Sequence, residues 1–100
     1  MSYNVVFTAL ADDDVANSIN WYNEQRANLG DEFFAELIVE IKKLQNDFLQ
    51  HRIVFESLRK INLKRFPFQV FYEQVDEQEL IVIIAVFHFK QDISKLKRRI

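Results

Sequence analysis

The chain contains no cysteine, one glycine and one proline in 100 residues. Without cysteine there is no disulfide scaffold and no thiolate metal site, and the composition suits a reducing compartment. So little glycine and proline leaves almost no turn punctuation, so long regular elements and short connections are expected. Long apolar runs are missing too. The longest, residues 80–87, falls far below the roughly 20 residues that a membrane-spanning helix needs. The first eleven residues hold no cationic segment, and Asp12, Asp13 and Asp14 follow at once, the wrong layout for a secretory leader. A cytoplasmic chain with no membrane partner is expected.

What is present suits a single globular domain spanning residues 1–100: 49% of residues are hydrophobic and 28% charged. Ten Phe, three Tyr and one Trp supply unusual core volume for this length. Trp21, Tyr22, Phe33, Phe34, Phe48, Phe66, Phe68, Phe71 and Tyr72 mostly fall at helical or strand spacing. Core packing is therefore expected of them before base stacking. Tyr72 stands apart because a buried hydroxyl requires a polar partner. The net charge of −2 averages two unlike halves, since residues 1–40 carry −7 and residues 41–100 carry +5. Such segregation presents a cationic surface to an anionic partner, or else supplies solubilising Lys and Arg at sheet edges.

Residues 3–8 (YNVVFT) predict a short strand. Asp12, Asp13 and Asp14 are expected to open a helix as capping and dipole-complementing carboxylates, not as a paired-acid site. Val15, Ile19, Tyr22 and Arg26 follow its helical spacing, with Trp21 beside them. Gly30 is expected to end it in the left-handed conformation, with Asp31 capping the next helix. There Phe34, Leu37, Ile38, Ile41, Leu44 and Phe48 form one stripe, while Glu36 and Glu40 mark an exposed face. Residues 59–65 then alternate at period two, Pro67 belongs at a strand start, residues 68–75 continue as a strand, and residues 76–78 turn. Residues 80–89 are apolar on both faces, as a covered central strand is. Residues 90–100 read as a short basic helix or tail. The predicted fold is α+β, in the order β-αα-βββ-(α), with a helical hairpin packed on a mainly antiparallel four-stranded sheet.

Ala11 and Asp14 in the first helix, Trp21-Tyr22 within it, and Leu29-Gly30 before Phe33-Phe34 form the first half of a recognisable pattern. Arg59, then Arg65-Phe66-Pro67-Phe68, then Phe71-Tyr72, an acidic turn and Ala85-Val86-Phe87-His88 form the second. In order and spacing the whole chain resembles the RelE/ParE superfamily of type II toxins, and ParE-like members more than RelE-like ones. The resemblance implies a growth-inhibiting toxin, associated with plasmid stabilisation, that needs no cofactor and is neutralised by a cognate antitoxin. ParE-like members bind DNA gyrase; RelE-like members cleave mRNA on the ribosome without a metal. A third reading is a member that only binds its antitoxin. Homodimerisation is left open.

Metal-free RNA cleavage requires a base, an acid and cations to hold the phosphate. The candidates are His88 with Arg59, Arg65 and Lys90. Gln69, Gln91 and Ile93 stand where nuclease relatives carry Arg, Arg and Pro, so the set is incomplete. The gyrase-binding reading is therefore preferred. Target or antitoxin binding is assigned to Arg59, Arg65, Phe66, Tyr72, His88, Lys90, Lys95, Lys97, Arg98 and Arg99. For His88 the alternative is a histidine that caps the sheet through hydrogen bonds, and for the basic tail it is a solvated terminus. His51 is expected to be merely polar at a helix–strand junction. Two distant histidines give no metal-ligand spacing, so no metal is expected.

Overall fold

The computed structural model describes residues 3–47 and 51–100. Strand β1 (Asn4–Phe7) leads into helices α1 (Ala9–Gln25) and α2 (Leu29–Asp47). Strands β2 (Ile53–Phe55), β3 (Leu58–Asn62), β4 (Phe68–Val75) and β5 (Leu80–His88) follow, with short 3-10 helices at Asp76–Gln78 and Ile93–Arg98. The sheet order is β1-β5-β4-β3-β2; β1 runs parallel to β5 and every other neighbouring pair is antiparallel. The helical hairpin on a mainly antiparallel sheet forms as expected, with five strands instead of four. The additional strand is β2, tied to β3 through the two-residue turn Glu56-Ser57, where Glu56 takes φ 52°. Ile53 and Val54 are both exposed on this outer strand, so three residues carried no buried alternation to read.

Both helix termini of the hairpin correct the sequence reading. Thr8 caps α1, its Oγ1 accepting the Ala11 N–H at 3.1 Å, and the helix begins at Ala9, ahead of the three aspartates. A hydroxyl one turn earlier satisfies the free amides that the carboxylates were expected to take. Between the helices the left-handed residue is Asn28, at φ 67°, not Gly30. Gly30 lies in the first turn of α2, where an added Cβ would stand 2.2 Å from the Ile19 carbonyl oxygen. Its N–H donates to Asn23 Oδ1 at 2.7 Å. The missing side chain lets the two helices meet.

Helix α1 buries Ala11, Val15 and Tyr22, and α2 buries Phe33, Leu37, Ile41 and Leu44. Phe34, expected on that stripe, is 42% exposed, and Phe33 takes its place. One residue of helix is about 100° of rotation, so the neighbouring aromatic points away. Phe48 lies outside the described residues. Glu36 and Glu40 do not simply face solvent: Glu40 pairs with Lys43 at 2.8 Å, and Glu36 binds the β3–β4 loop.

Strand β5 is apolar on both faces because both are covered. Ile81, Ile83 and Val86 join the helix-facing core, while Ile84, Ala85 and Phe87 pack with Leu58, Phe71 and Leu96 on the other side. A bulge sets this parity. Phe71 opposes Ala85 while Tyr72 opposes Ile83, which leaves Ile84 unopposed. The extra residue flips the alternation, so Val86 returns to the face of Ile83. Two residues on, His88 reaches that face as well, its ring edge-on to Phe68 at 5.3 Å.

Candidate functional site

The second half of α1, the start of β4 and the end of β5 border a surface cleft of about 390 Å³, lined by Asn17, Ser18, Trp21, Tyr22, Phe68, His88, Lys90 and Gln91. His88 is fixed by the turn that follows β5. Its backbone N–H donates to Gln91 Oε1 at 2.8 Å, and its Nδ1 accepts the Lys90 N–H at 3.0 Å. An accepting Nδ1 places the proton of the neutral ring on Nε2. The histidine thus closes the strand end, as a capping role requires, and still lines the cleft. Behind it the wall is aromatic. Tyr22 packs against Phe33, Phe66 and Phe68 at centroid separations of 5.5, 5.0 and 6.0 Å, and Trp21 stands edge-on to Tyr22 at 5.1 Å.

Of the expected site residues, only His88 and Lys90 come together here. Phe66 is buried in the aromatic cluster, so it is a core residue and not a contact surface. Arg65 is held by α2: its side chain pairs with Glu32, and its N–H and that of Lys64 each donate to Glu36 Oε2 at 3.0 Å. The Arg65 hydrogen bond holds the Glu32 carboxyl below its usual range, with Arg26 assisting. Acids of the helical layer therefore neutralise part of the basic second half directly.

Arg59 and Tyr72 form a separate group around His51. Tyr72 is fully buried, and its hydroxyl lies 3.0 Å from His51 Nδ1, the polar partner that its burial demands. Burial pushes the Tyr72 hydroxyl up to about 12, against a smaller opposing effect of Arg59. The Arg59 guanidinium donates to the His51 carbonyl. His51, expected to be merely polar, is thereby the hub of this cluster. Its sequence position at a junction gave no signal of that.

The C-terminal segment is not a loose tail. Asp92 caps the Ile93–Arg98 helix by accepting the Ser94 N–H at 2.9 Å, a bond that holds its carboxyl down. Leu96 is fully buried in the outer core. Arg99 meets Asp14 at 2.8 and 3.0 Å and lies 4.9 Å over the Phe87 ring. It is a structural residue, and Asp14 is its counter-ion and not a dipole complement. Lys95, Lys97 and Arg98 remain exposed on the outer side of this helix.

Sequence reasoning missed Trp21 as a surface residue. It is 57% exposed and borders the cleft, one position off the stripe of Val15 and Tyr22. That offset was the available signal. Among the described residues no group of three or more His, Asp or Glu side chains is placed to hold a metal ion, and no helix is long and apolar enough to cross a membrane.

A helical hairpin on this five-stranded sheet, closed by a short C-terminal helix, is the α+β fold of the RelE/ParE superfamily. A structure of the chromosomal ParDE toxin–antitoxin system from P. aeruginosa is similar at a TM-score of 0.76 and 16% identity, covering 87% of this chain and 96% of that one. The toxin–antitoxin complex RelBE2 from Mycobacterium tuberculosis is similar at 0.63 and 21% identity, with 88% and 99% covered. A mutant of the E. coli toxin RelE bound to an antitoxin peptide is similar at 0.58 and 16% identity, with 100% and 96% covered. At these identities the likeness is one of fold. No curated protein matches the chain in sequence. The model of the ParE toxin of type II toxin–antitoxin systems, parDE, matches residues 5–93, and the chain belongs to this family.

Proposed function

We propose that this ParE-family toxin arrests growth in the cytoplasm by binding and inhibiting DNA gyrase, and that a cognate antitoxin neutralises it, as in modules that stabilise plasmids. The observation that carries the reading is the match of residues 5–93 to the model of the ParE toxin. The solved ParDE and RelBE2 relatives are toxin–antitoxin assemblies, which supports an antitoxin as partner. The dispersal of the cationic set also favours binding over catalysis. Arg59 and Arg65 do not line the His88 cleft, and both are engaged elsewhere. Without them, His88 and Lys90 have no second cation to hold a scissile phosphate. The exposed Lys95, Lys97 and Arg98 are the target-facing residues of this reading.

A RelE-like ribosome-dependent ribonuclease is the second reading, favoured by one observation: His88 and Lys90 line the same open cleft. Pulse labelling after induction separates the two. Gyrase inhibition stops thymidine incorporation before methionine incorporation; cleavage of translated mRNA stops methionine incorporation first. An immediate loss of protein synthesis that His88→Ala abolishes refutes the gyrase reading.

A further inference from the structure

We propose that the cleft between α1 and the end of β5 is a nucleotide-binding site, in which the base stacks on Trp21 and the phosphate is held by Lys90. Four observations converge on this chemistry. First, Trp21 is the most exposed large hydrophobic side chain in the described residues, at 57%, although a helix one residue out of phase would have buried it. A free indole face beside a concavity is a platform for a planar ring. Second, the platform sits on the aromatic core. Tyr22 meets Trp21 edge-on at an interplanar angle of 79° and itself packs against Phe33 and Phe66.

Third, the charge of the cleft selects an anion. No carboxylate lines it, in a chain that carries fifteen acids. Lys90 is exposed and makes no salt bridge among the described residues. Fourth, the rim offers hydrogen-bond donors. With Nδ1 of His88 and Oε1 of Gln91 already bonded to backbone amides, the His88 Nε2–H and the Gln91 amide nitrogen remain to donate. A volume of about 390 Å³ lies within the range of small-molecule sites. An aromatic ring bearing a phosphate meets all four conditions. An acidic peptide meets the charge condition and leaves the indole face uncovered.

Trp21 is the only tryptophan, so its fluorescence reports the site directly. The purified full chain is titrated with AMP, adenosine, inorganic phosphate and a 5′-phosphorylated four-nucleotide RNA. AMP is expected to quench saturably, adenosine to bind about tenfold more weakly, and phosphate alone to leave the emission unchanged. Lys90→Ala is expected to bring AMP down to the level of adenosine and leave adenosine unaffected. In calorimetry, Trp21→Ala, an exposed substitution, is expected to abolish AMP binding. Tighter binding of the RNA than of AMP identifies a strand end as the source of the nucleotide, and the reverse order identifies a free nucleotide. The proposal is overturned by absence of saturable quenching with AMP, by equal AMP affinity in the wild type and Lys90→Ala, or by undiminished AMP binding in Trp21→Ala. A tetraglutamate peptide that binds more tightly than AMP would overturn it too.

Discussion

Arg99 and Asp14, 85 positions apart, together close the edge of β5 that β1 leaves open. Strand β1 pairs with β5 only as far as Phe7 and Ile83. Beyond that point the side chains stand in for the missing strand: Asp14 Oδ2 accepts the Val86 N–H at 2.9 Å, and Arg99 Nη1 donates to the Ile84 carbonyl at 3.0 Å. The Ile84 carbonyl belongs to the bulged residue, so the pair serves the one place where the ladder is irregular.

Because both side chains are only 14% exposed, removing either leaves its partner buried and unpaired. Arg99→Ala and Asp14→Ala are each expected to destabilise the fold by about 3 kcal/mol. The double variant is expected to cost little more than either single one. Urea unfolding of the four proteins checks this.

Deleting the C-terminal segment would therefore confuse lost target contacts with a damaged fold. Reversing the exposed charges avoids that confusion. Lys97→Glu with Arg98→Glu is expected to weaken target inhibition about tenfold, since surface charges govern encounter with an anionic or charged partner. The unfolding midpoint is expected to stay unchanged.

Gly30 tests the closure of the helical hairpin. With a Cβ 2.2 Å from the Ile19 carbonyl oxygen, Gly30→Ala must push α1 and α2 apart. A loss of about 3 kcal/mol is expected, at the upper end of overpacking costs. An alanine at an ordinary helical glycine would instead stabilise by about 1 kcal/mol. The sign of the change in melting temperature decides between close approach and backbone conformation as the role of this residue.

All three tyrosines are held above their ordinary value of 10: Tyr3 through its hydrogen bond to Asp76, Tyr22 and Tyr72 through burial. Tyr72 is highest, at about 12. A folded-state value above the unfolded one gives a contribution that is complete below pH 10 and is lost as pH climbs toward 12. For Tyr72 this amounts to roughly 3 kcal/mol. Absorbance at 295 nm is expected to show less tyrosine ionised at pH 10 in the folded chain than in the urea-unfolded one, with Tyr72 the last to titrate. Tyr72→Phe is expected to flatten the alkaline loss of stability.

The elements with strong periodicity were legible from sequence: α2, β4, the doubly covered β5, and the hairpin of helices on the sheet. The failures share one cause, that the deciding contact is distant in sequence. Asp14 reads as a helix-start acid until Arg99 is brought beside it. Gly30 reads as a turn glycine until the Ile19 carbonyl is seen to occupy the space of its side chain. Phe33 and Phe34 are equivalent by composition, and only the sheet beneath α2 selects the first. Strand β2 is exposed, and nothing in three residues separates it from loop. The site suffered similarly: His88 and Lys90 are two residues apart and were found together, whereas Arg59, Arg65 and Arg99 were drawn off by His51, Glu32 and Asp14.

The most direct test of the account is gyrase supercoiling of relaxed plasmid in the presence of the purified chain, with translated mRNA and ribosomes assayed on the same sample. The expected result is supercoiling that falls with rising toxin concentration while the mRNA stays intact. Unimpeded supercoiling accompanied by ribosome-dependent cleavage that His88→Ala removes would contradict it.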